Sequence, residues 1–232
     1  MKKLVVFTGA GISQESGLKT FRDSDGLWEN YNIEDVATPE AWEKNPSLVL
    51  NFYNERRIQA SEALPNTAHL CIAALENHFD ITVITQNVDN LHERAGSKKV
   101  VHLHGKLNEA RSVLNNEVIQ VGNKPICIGD VCSKGGQLRP NIVWFGEDVP
   151  NMDIAQNIAA TADYFLVVGT SLNVYPAAYL VHAVKEKCQK FLVDPGSVKV
   201  TNTRNLTILK EKATSGVPKV AKILVPEFEF ES

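Results

Sequence analysis

Seven short apolar runs, rich in β-branched and aromatic residues and separated by longer stretches with helical spacing, constrain this chain more than any other feature. They are Leu4–Phe7, Ile81–Ile84, Val100–Leu103, Ile142–Phe145, Phe165–Val168, Phe191–Val193 and Leu206–Leu209. Most are apolar at consecutive positions rather than alternate ones. That is the pattern of strands covered by helices on both faces. Helical spacing falls at Pro46–Glu62, Thr67–His78, Val88–Ala95, Ile154–Ala162, Ala177–Lys187 and Pro218–Leu224, with Asn66 and Asp153 as candidate N-caps. Alternation of this kind predicts an α/β fold with a doubly wound parallel, Rossmann-like sheet.

Two stretches break the alternation. Residues 30–78 carry helices without a strand of the main pattern, and residues 106–139 are polar, Asn- and Gly-rich and weakly periodic. Both read as insertions that build a small second lobe on a single domain of 232 residues. The larger lobe then takes approximately residues 1–29, 79–105 and 140–232. Lys+Arg 24 against Asp+Glu 27 gives a net charge of -3. That balance excludes a generic binder of nucleic acid or anionic membrane, which needs concentrated positive charge. No apolar run approaches the roughly 20 residues of a membrane span. The first apolar run stops at Thr8, too soon for a secretory signal. The four cysteines (Cys71, Cys127, Cys132, Cys188) form no CxxC pair, so a cytoplasmic protein is expected, and nothing in the sequence demands more than a monomer.

Polar clusters sit where the strands end. Gly9-Ala10-Gly11-Ile12-Ser13 follows the first strand, where glycines let backbone approach a pyrophosphate. Gln14 stands where a dinucleotide fingerprint would place its third glycine, so this motif alone also reads as a tight turn. Thr85-Gln86-Asn87-Val88-Asp89 follows the second strand, and Leu103-His104-Gly105 the third. Loops at the carboxyl ends of a parallel sheet converge on one crevice, which gathers Arg22, Gln86, Asn87, Asp89 and His104.

Together with Thr20-Phe21-Arg22, Leu138-Arg139-Pro140, Val143-Trp144-Phe145-Gly146-Glu147 and Gly169-Thr170-Ser171, these motifs resemble the sirtuin family, in its order and over nearly the whole chain. The resemblance implies an enzyme that uses NAD to remove acyl groups from protein lysine, releasing nicotinamide and O-acyl-ADP-ribose. It implies His104 as the base that takes a ribose proton, a task suited to an imidazole titrating near neutrality. By the same resemblance Asn87 and Asp89 act in catalysis at the nicotinamide ribose. Gly9, Ala10, Gly11, Ile12, Ser13, Thr20, Phe21, Arg22, Trp28, Gln86, Val88, Gly169, Thr170 and Ser171 surround the cofactor. Leu192, Val193, Asp194 and Ala213 meet its adenosine end, where Leu192 offers only backbone. Val143, Trp144, Phe145, Gly146 and Glu147 match the loop on which an acyl-lysine peptide, the expected partner, pairs as an added strand.

Tyr53 and Arg56 lie three apart on one helix face, so a phenol and a guanidinium reach one carboxylate. The pair resembles the signature of family members that remove succinyl and malonyl groups, and Ala37 matches their small pocket residue. Glu55 and Arg57 read as a solvated helix face. A mixed desuccinylase, demalonylase and deacetylase is expected. Most members also carry two cysteine pairs for structural zinc. Here Ser112-Val113-Leu114-Asn115 stands at the first pair, and only Cys127 and Cys132 remain, so a lobe without zinc is expected. The alternatives are mono-ADP-ribosyl transfer, which has no use for Tyr53 and Arg56, and an NAD-sensing module without catalysis, which has no use for His104.

Overall fold

Six of the seven apolar runs join one parallel sheet. The computed structural model describes residues 1–19, 31–172, 174–198 and 203–230, and the backbone alone of 27–28. Its strands are β1 (Lys3–Thr8), β2 (Leu27–Trp28), β3 (Tyr31–Asn32), β4 (Asp80–Thr85), β5 (Val100–His102), β6 (Gly105–Ser112), β7 (Val118–Gln120), β8 (Leu138–Ile142), β9 (Tyr164–Val168), β10 (Gln189–Val193) and β11 (Leu206–Leu209). Its helices are α1 (Gly11–Gln14), α2 (Ile33–Val36), α3 (Pro39–Lys44), α4 (Pro46–Glu62), α5 (Thr67–Ala74), α6 (Leu91–Arg94), α7 (Met152–Ala159), α8 (Leu180–Ala183) and α9 (Ala213–Leu224). The main sheet has the order β11-β10-β9-β1-β4-β5, and each adjacent pair is parallel.

Burial on both faces explains the consecutive apolar positions. Leu4, Val6, Val83, Leu166, Val168, Phe191 and Val193 pack with Ile72 of α5 and Val217 and Val220 of α9. Their neighbours Val5, Phe7, Ile84, Phe165, Val167 and Leu192 pack on the other face with Ala155 of α7 and Leu180 of α8. Each fully buried side chain of this size contributes about 1.5–3 kcal/mol, which fixes the sheet between its helices.

The seventh run is corrected. Ile142 ends β8, which pairs antiparallel with β6 in a separate sheet of order β7-β6-β8. Val143, Trp144 and Phe145 lie beyond it, outside any strand. Pro140 donates no ladder hydrogen bond, and β8 is an edge strand where that is tolerated. The polar stretch 106–139 thus supplies most of a small sheet that its weak periodicity hid.

The longest helix, α4, has the predicted bounds because Asn45 caps it through Leu48 N (3.1 Å) and Pro46 opens it. Asn66 caps α5 in a box with His69. Asp153 is not a cap. Asn151 holds that place, and Asp153 sits in the first turn, where its charge favours the helix dipole. Five helices differ from expectation in extent: Thr67–His78 divides into α5 and a 3-10 turn at Leu75–Asn77, Ile154–Ala162 shifts to Met152–Ala159, and three change more. Of Val88–Ala95 only Leu91–Arg94 is helical, Ala177–Lys187 shortens to a 3-10 turn and α8, and α9 starts at Ala213 with Pro218 inside it.

Arg57 is corrected as well. It is 2% exposed, and its Nε donates to Leu107 O (2.6 Å) and its Nη1 to Asn54 Oδ1 (2.6 Å). Burial lowers its pKa to about 10. Glu55 is exposed, as expected. The guanidinium therefore ties α4 to β6, and Asn54 extends the tie by pairing with both the N–H (2.9 Å) and the carbonyl (2.9 Å) of Ile126.

Candidate active site

The strand order reverses direction at β1, whose neighbours are β9 on one side and β4 on the other, and there the carboxyl-end loops part. The two loops flanking this point interlock. Gly9 N donates to Val168 O (3.0 Å) and Gly11 N to Gly169 O (2.8 Å). A side chain on Gly11 would come within 2.7 Å of Gly169 Cα, and one on Gly169, whose φ is +62°, would collide with Ile12 N. These glycines are required first by the approach of one loop to the other, whatever ligand they also admit.

Beside them lies a polar cluster from β4. Asn87 donates its backbone N–H to Thr85 Oγ1 (3.0 Å) and its side-chain amide to Gly9 O (3.2 Å) and Ser13 Oγ (3.1 Å). The Ser13 hydroxyl donates to Asp89 Oδ2 (3.1 Å), and Leu91 N donates to Asp89 Oδ1 (3.1 Å). Burial raises the Asp89 pKa, while the hydrogen bonds from Leu91 and Ser13 oppose the rise. Gln86 Nε2 donates to Thr170 Oγ1 (3.2 Å), joining this cluster to the loop after β9. Asn87, Asp89, Ser13, Gln86, Thr170 and the glycine loop are thus brought together. Val88 packs partly buried on the small-lobe cluster that holds Trp144.

His104 follows β5 and is half-buried. Its Nδ1 lies 3.0 Å from Gln86 O, an acceptor, so Nδ1 carries the proton and Nε2 is left as the basic nitrogen. Burial lowers its pKa below 6.5, against the hydrogen bond to Gln86 O. Gly105 is the turn that permits this. Its φ is +85°, and any side chain there would collide with Asn141 O.

Val143 N donates to His104 O (3.0 Å) and Phe145 N to Ala37 O (3.0 Å), so residues 143–145 bridge the two lobes. Trp144 is buried and Phe145 is 47% exposed. The Glu147 side chain turns inward. It accepts from Arg111 Nη2 (2.7 Å), Arg139 Nη2 (2.6 Å) and Trp144 N (2.8 Å), and the Arg139 guanidinium stacks 3.6 Å from the Trp144 ring centre.

Ala37 and Tyr53 are buried in one apolar cluster with Trp144, Leu107 and Phe52. Burial pushes the Tyr53 phenol up, and contact with Trp144 and the charge of Arg56 pull the other way. Tyr53 and Ala37 therefore pack in one cluster with Trp144 of the 143–147 loop, and the Arg56 guanidinium lies 5.8 Å from the Phe52 ring centre. Thr20, Phe21 and Arg22 lie outside the described residues, as does the Trp28 side chain. At the far end of the crevice, Leu192 and Val193 are core, and Asp194 Oδ1 accepts from Gly196 N (2.8 Å). Ala213 is buried at the start of α9, and Ser171 is half-buried beside the β9 loop.

A family model described as the Sir2 family matches residues 9–176. The chain belongs to the Sir2 family. It is 49% identical over 233 residues to an NAD-dependent protein deacylase of Bacteroides thetaiotaomicron, covering 97% of this chain and 99% of that one. A protein of the same description from Helicobacter pylori is 44% identical over 225 residues, with 97% and 98% covered. Among solved structures, a Sir2 homolog–NAD complex matches with a TM-score of 0.86 at 39% identity, covering 96% of this chain and 89% of that one. Sir2Tm bound to a propionylated peptide matches with a TM-score of 0.77 at 30% identity, covering 95% and 92%.

Behind this crevice stand residues that lie within the sequence motifs but were assigned no role from them. Thr8 and Thr85, both fully buried, share a hydrogen bond (2.8 Å), and Thr8 Oγ1 lies 3.0 Å from His92 Nε2. Burial holds the His92 pKa well below its ordinary value, so the ring is neutral there. Polar residues ending otherwise apolar strands were the available signal. His102 and Glu93 were missed as well.

Proposed function

We propose that this chain is an NAD-dependent deacylase of protein lysine side chains, acting on succinyl, malonyl and acetyl groups. The observation that carries the reading is the commitment of His104 Nδ1 to Gln86 O, which leaves Nε2 as a base beside the Asn87–Ser13–Asp89 cluster. The crevice fits NAD by its interlocked glycine turns and by that cluster, which is rich in groups able to bind a ribose. When bound, NAD supplies an electrophilic ribose carbon as nicotinamide departs. Asn87 and Asp89 orient the ribose, and His104 Nε2 takes the proton of a ribose hydroxyl so that its oxygen can receive the acyl group. Phe145 and the 143–147 backbone present the peptide.

Tyr53 and Arg56 receive the carboxylate of a succinyl or malonyl group, with Ala37 leaving room for it. A charge-assisted pair to Arg outweighs a neutral hydrogen bond, and a guanidinium facing a neutral acetyl group gains nothing in return. We also propose that the small lobe closes without zinc. Ser112 Oγ accepts from Leu114 N (3.1 Å), Asn115 Oδ1 from Cys132 Sγ (3.8 Å), and Glu117 Oε2 from Ser133 Oγ (2.9 Å). A side chain at Gly136 would come within 2.5 Å of both Ser112 Oγ and Leu114 Cβ. The residues present are poor donors for zinc, and among the described residues no three of His, Cys, Asp and Glu group to hold a metal.

The test is NAD-dependent turnover of one peptide carrying acetyl- or succinyl-lysine. His104→Ala loses both activities. Arg56→Ala loses succinyl turnover and keeps acetyl turnover. Equal losses on the two peptides would remove the carboxylate pocket, and no NAD-dependent acyl release by the unaltered chain would remove the deacylase reading.

A further inference from the structure

Two histidines flank Leu103, and each places Nδ1 against a main-chain carbonyl of the loop after β4. His104 meets Gln86 O (3.0 Å), and His102 meets Asn87 O (2.9 Å). Their other nitrogens differ. His104 Nε2 has no hydrogen-bond partner among the described residues, whereas His102 Nε2 meets Glu93 Oε1 at 2.8 Å. His102 is 5% exposed, and Lys106 Nζ approaches the same Glu93 oxygen (3.3 Å). A carbonyl can only accept, so His102 Nδ1 donates to Asn87 O, and a proton lies between Nε2 and the Glu93 carboxylate.

From this geometry we infer that His102, held by Glu93, is a positioning residue for Asn87 in the reaction proposed above, on which the inference rests. With its carbonyl held by His102, its N–H by Thr85 and its amide by Gly9 and Ser13, Asn87 has one polar atom left, Oδ1. The grip orients that atom into the crevice. The same strand end therefore carries a base, His104, and a pin, His102, and what separates them is whether a carboxylate faces Nε2. Four groups surround the pin: Glu93 of α6, Lys106 of β6, and Asp89 and His92 at closer to charge range than contact. Burial drives the Glu93 carboxyl up, but the hydrogen bond and charge of His102, with Lys106, outweigh it and hold the pKa at about 2.

Steady-state kinetics on NAD and on acyl-peptide separate this role from a merely structural one, because Asn Nδ2 mimics histidine Nδ1 and Gln Nε2 mimics histidine Nε2. His102→Ala and His102→Gln lower kcat/KM for NAD at least tenfold while KM for the peptide stays within twofold. His102→Asn restores most of the loss, since it keeps the donor to Asn87 O and gives up only Glu93. Assays run well below each variant's melting temperature, and ADP-ribose binding to each variant is titrated in parallel. Equal effects of Asn and Gln, or a kcat/KM for NAD within twofold of normal in His102→Ala, would overturn the inference. If the unaltered chain bound ADP-ribose but released no acyl group, the deacylase reading would fail instead, and the binding titrations would still report the pin.

Discussion

The crevice of the main sheet and the small lobe are held together in opposite ways. Around the crevice, backbone does the fastening. Three glycines interlock two loops, and Asn87 and His104 hang on the loop carbonyls of Gly9 and Gln86. In the small lobe the apolar cluster around β6 is thin, with Leu50, Ala110, Ile126, Cys132 and Leu138 at its centre. Side chains make the joins there: Arg57 to Leu107 O, Asn54 to Ile126, and Glu147 to Arg111 and Arg139. A region fastened by backbone is sensitive to an added atom, and one fastened by side chains is sensitive to a lost one.

The widest expected difference is between two glycines. Gly169→Ala forces a Cβ into the Gly11–Ile12 backbone at a positive φ, and should destabilise by about 3 kcal/mol or more, read by denaturant unfolding. Gly129→Ala in the small lobe, at φ +96° with no atom within 4 Å, meets only the conformational cost of about 1 kcal/mol. Equal losses would erase the contrast.

Arg57→Met comes next, at about 2 kcal/mol, because Leu107 O is left buried without its donor. Hydrogen exchange should speed at β6 and α4 while β1 keeps its protection. Uniform exchange would mean that the two lobes unfold as one. Glu147→Gln is expected to raise KM for acyl-peptide several-fold and leave KM for NAD unchanged, since it frees Arg139 from its ion pair beside Trp144.

The pH dependence is a smaller effect. As the proposed base, His104 would have to be neutral to take a proton, and burial lowers its pKa, so kcat/KM should fall with decreasing pH through a midpoint below 6.5. A midpoint above 6.5 would remove burial as the controlling influence. Smallest of all is the effect of a zinc chelator. On the proposed zinc-free lobe the melting temperature should stay within about 1 °C, because a chelator would then withdraw no ligand from the native state. A large drop, with stoichiometric zinc by elemental analysis, would show the side-chain net to be insufficient.

The parallel sheet was legible because consecutive apolar runs such as Phe165–Val168 admit few other environments. The bounds of α4 were legible because Asn45 and Pro46 act locally. The strand β6, Gly-Lys-Leu-Asn-Glu-Ala-Arg-Ser, was not, because it contains no β-branched residue and owes its conformation to β7 and β8. Ile142–Phe145 misled for the opposite reason, since its apolar run is strand-like, yet only Ile142 pairs, at the end of β8. Arg57 looked solvated because helical spacing gives a face but not what covers it.

For the site, order along the chain was enough to name Asn87, Asp89 and His104, since polar residues at the ends of parallel strands meet in one crevice. Sequence alone set that meeting and the family to which the chain belongs. The tertiary structure decided that His102 engages both ring nitrogens whereas His104 engages Nδ1 alone among the described residues, that Glu147 faces Arg111 and Arg139, and that Gly9, Gly11 and Gly169 serve one another. Those outcomes depend on distances of about 3 Å between residues far apart in the chain, and only the packing of both lobes fixes such distances.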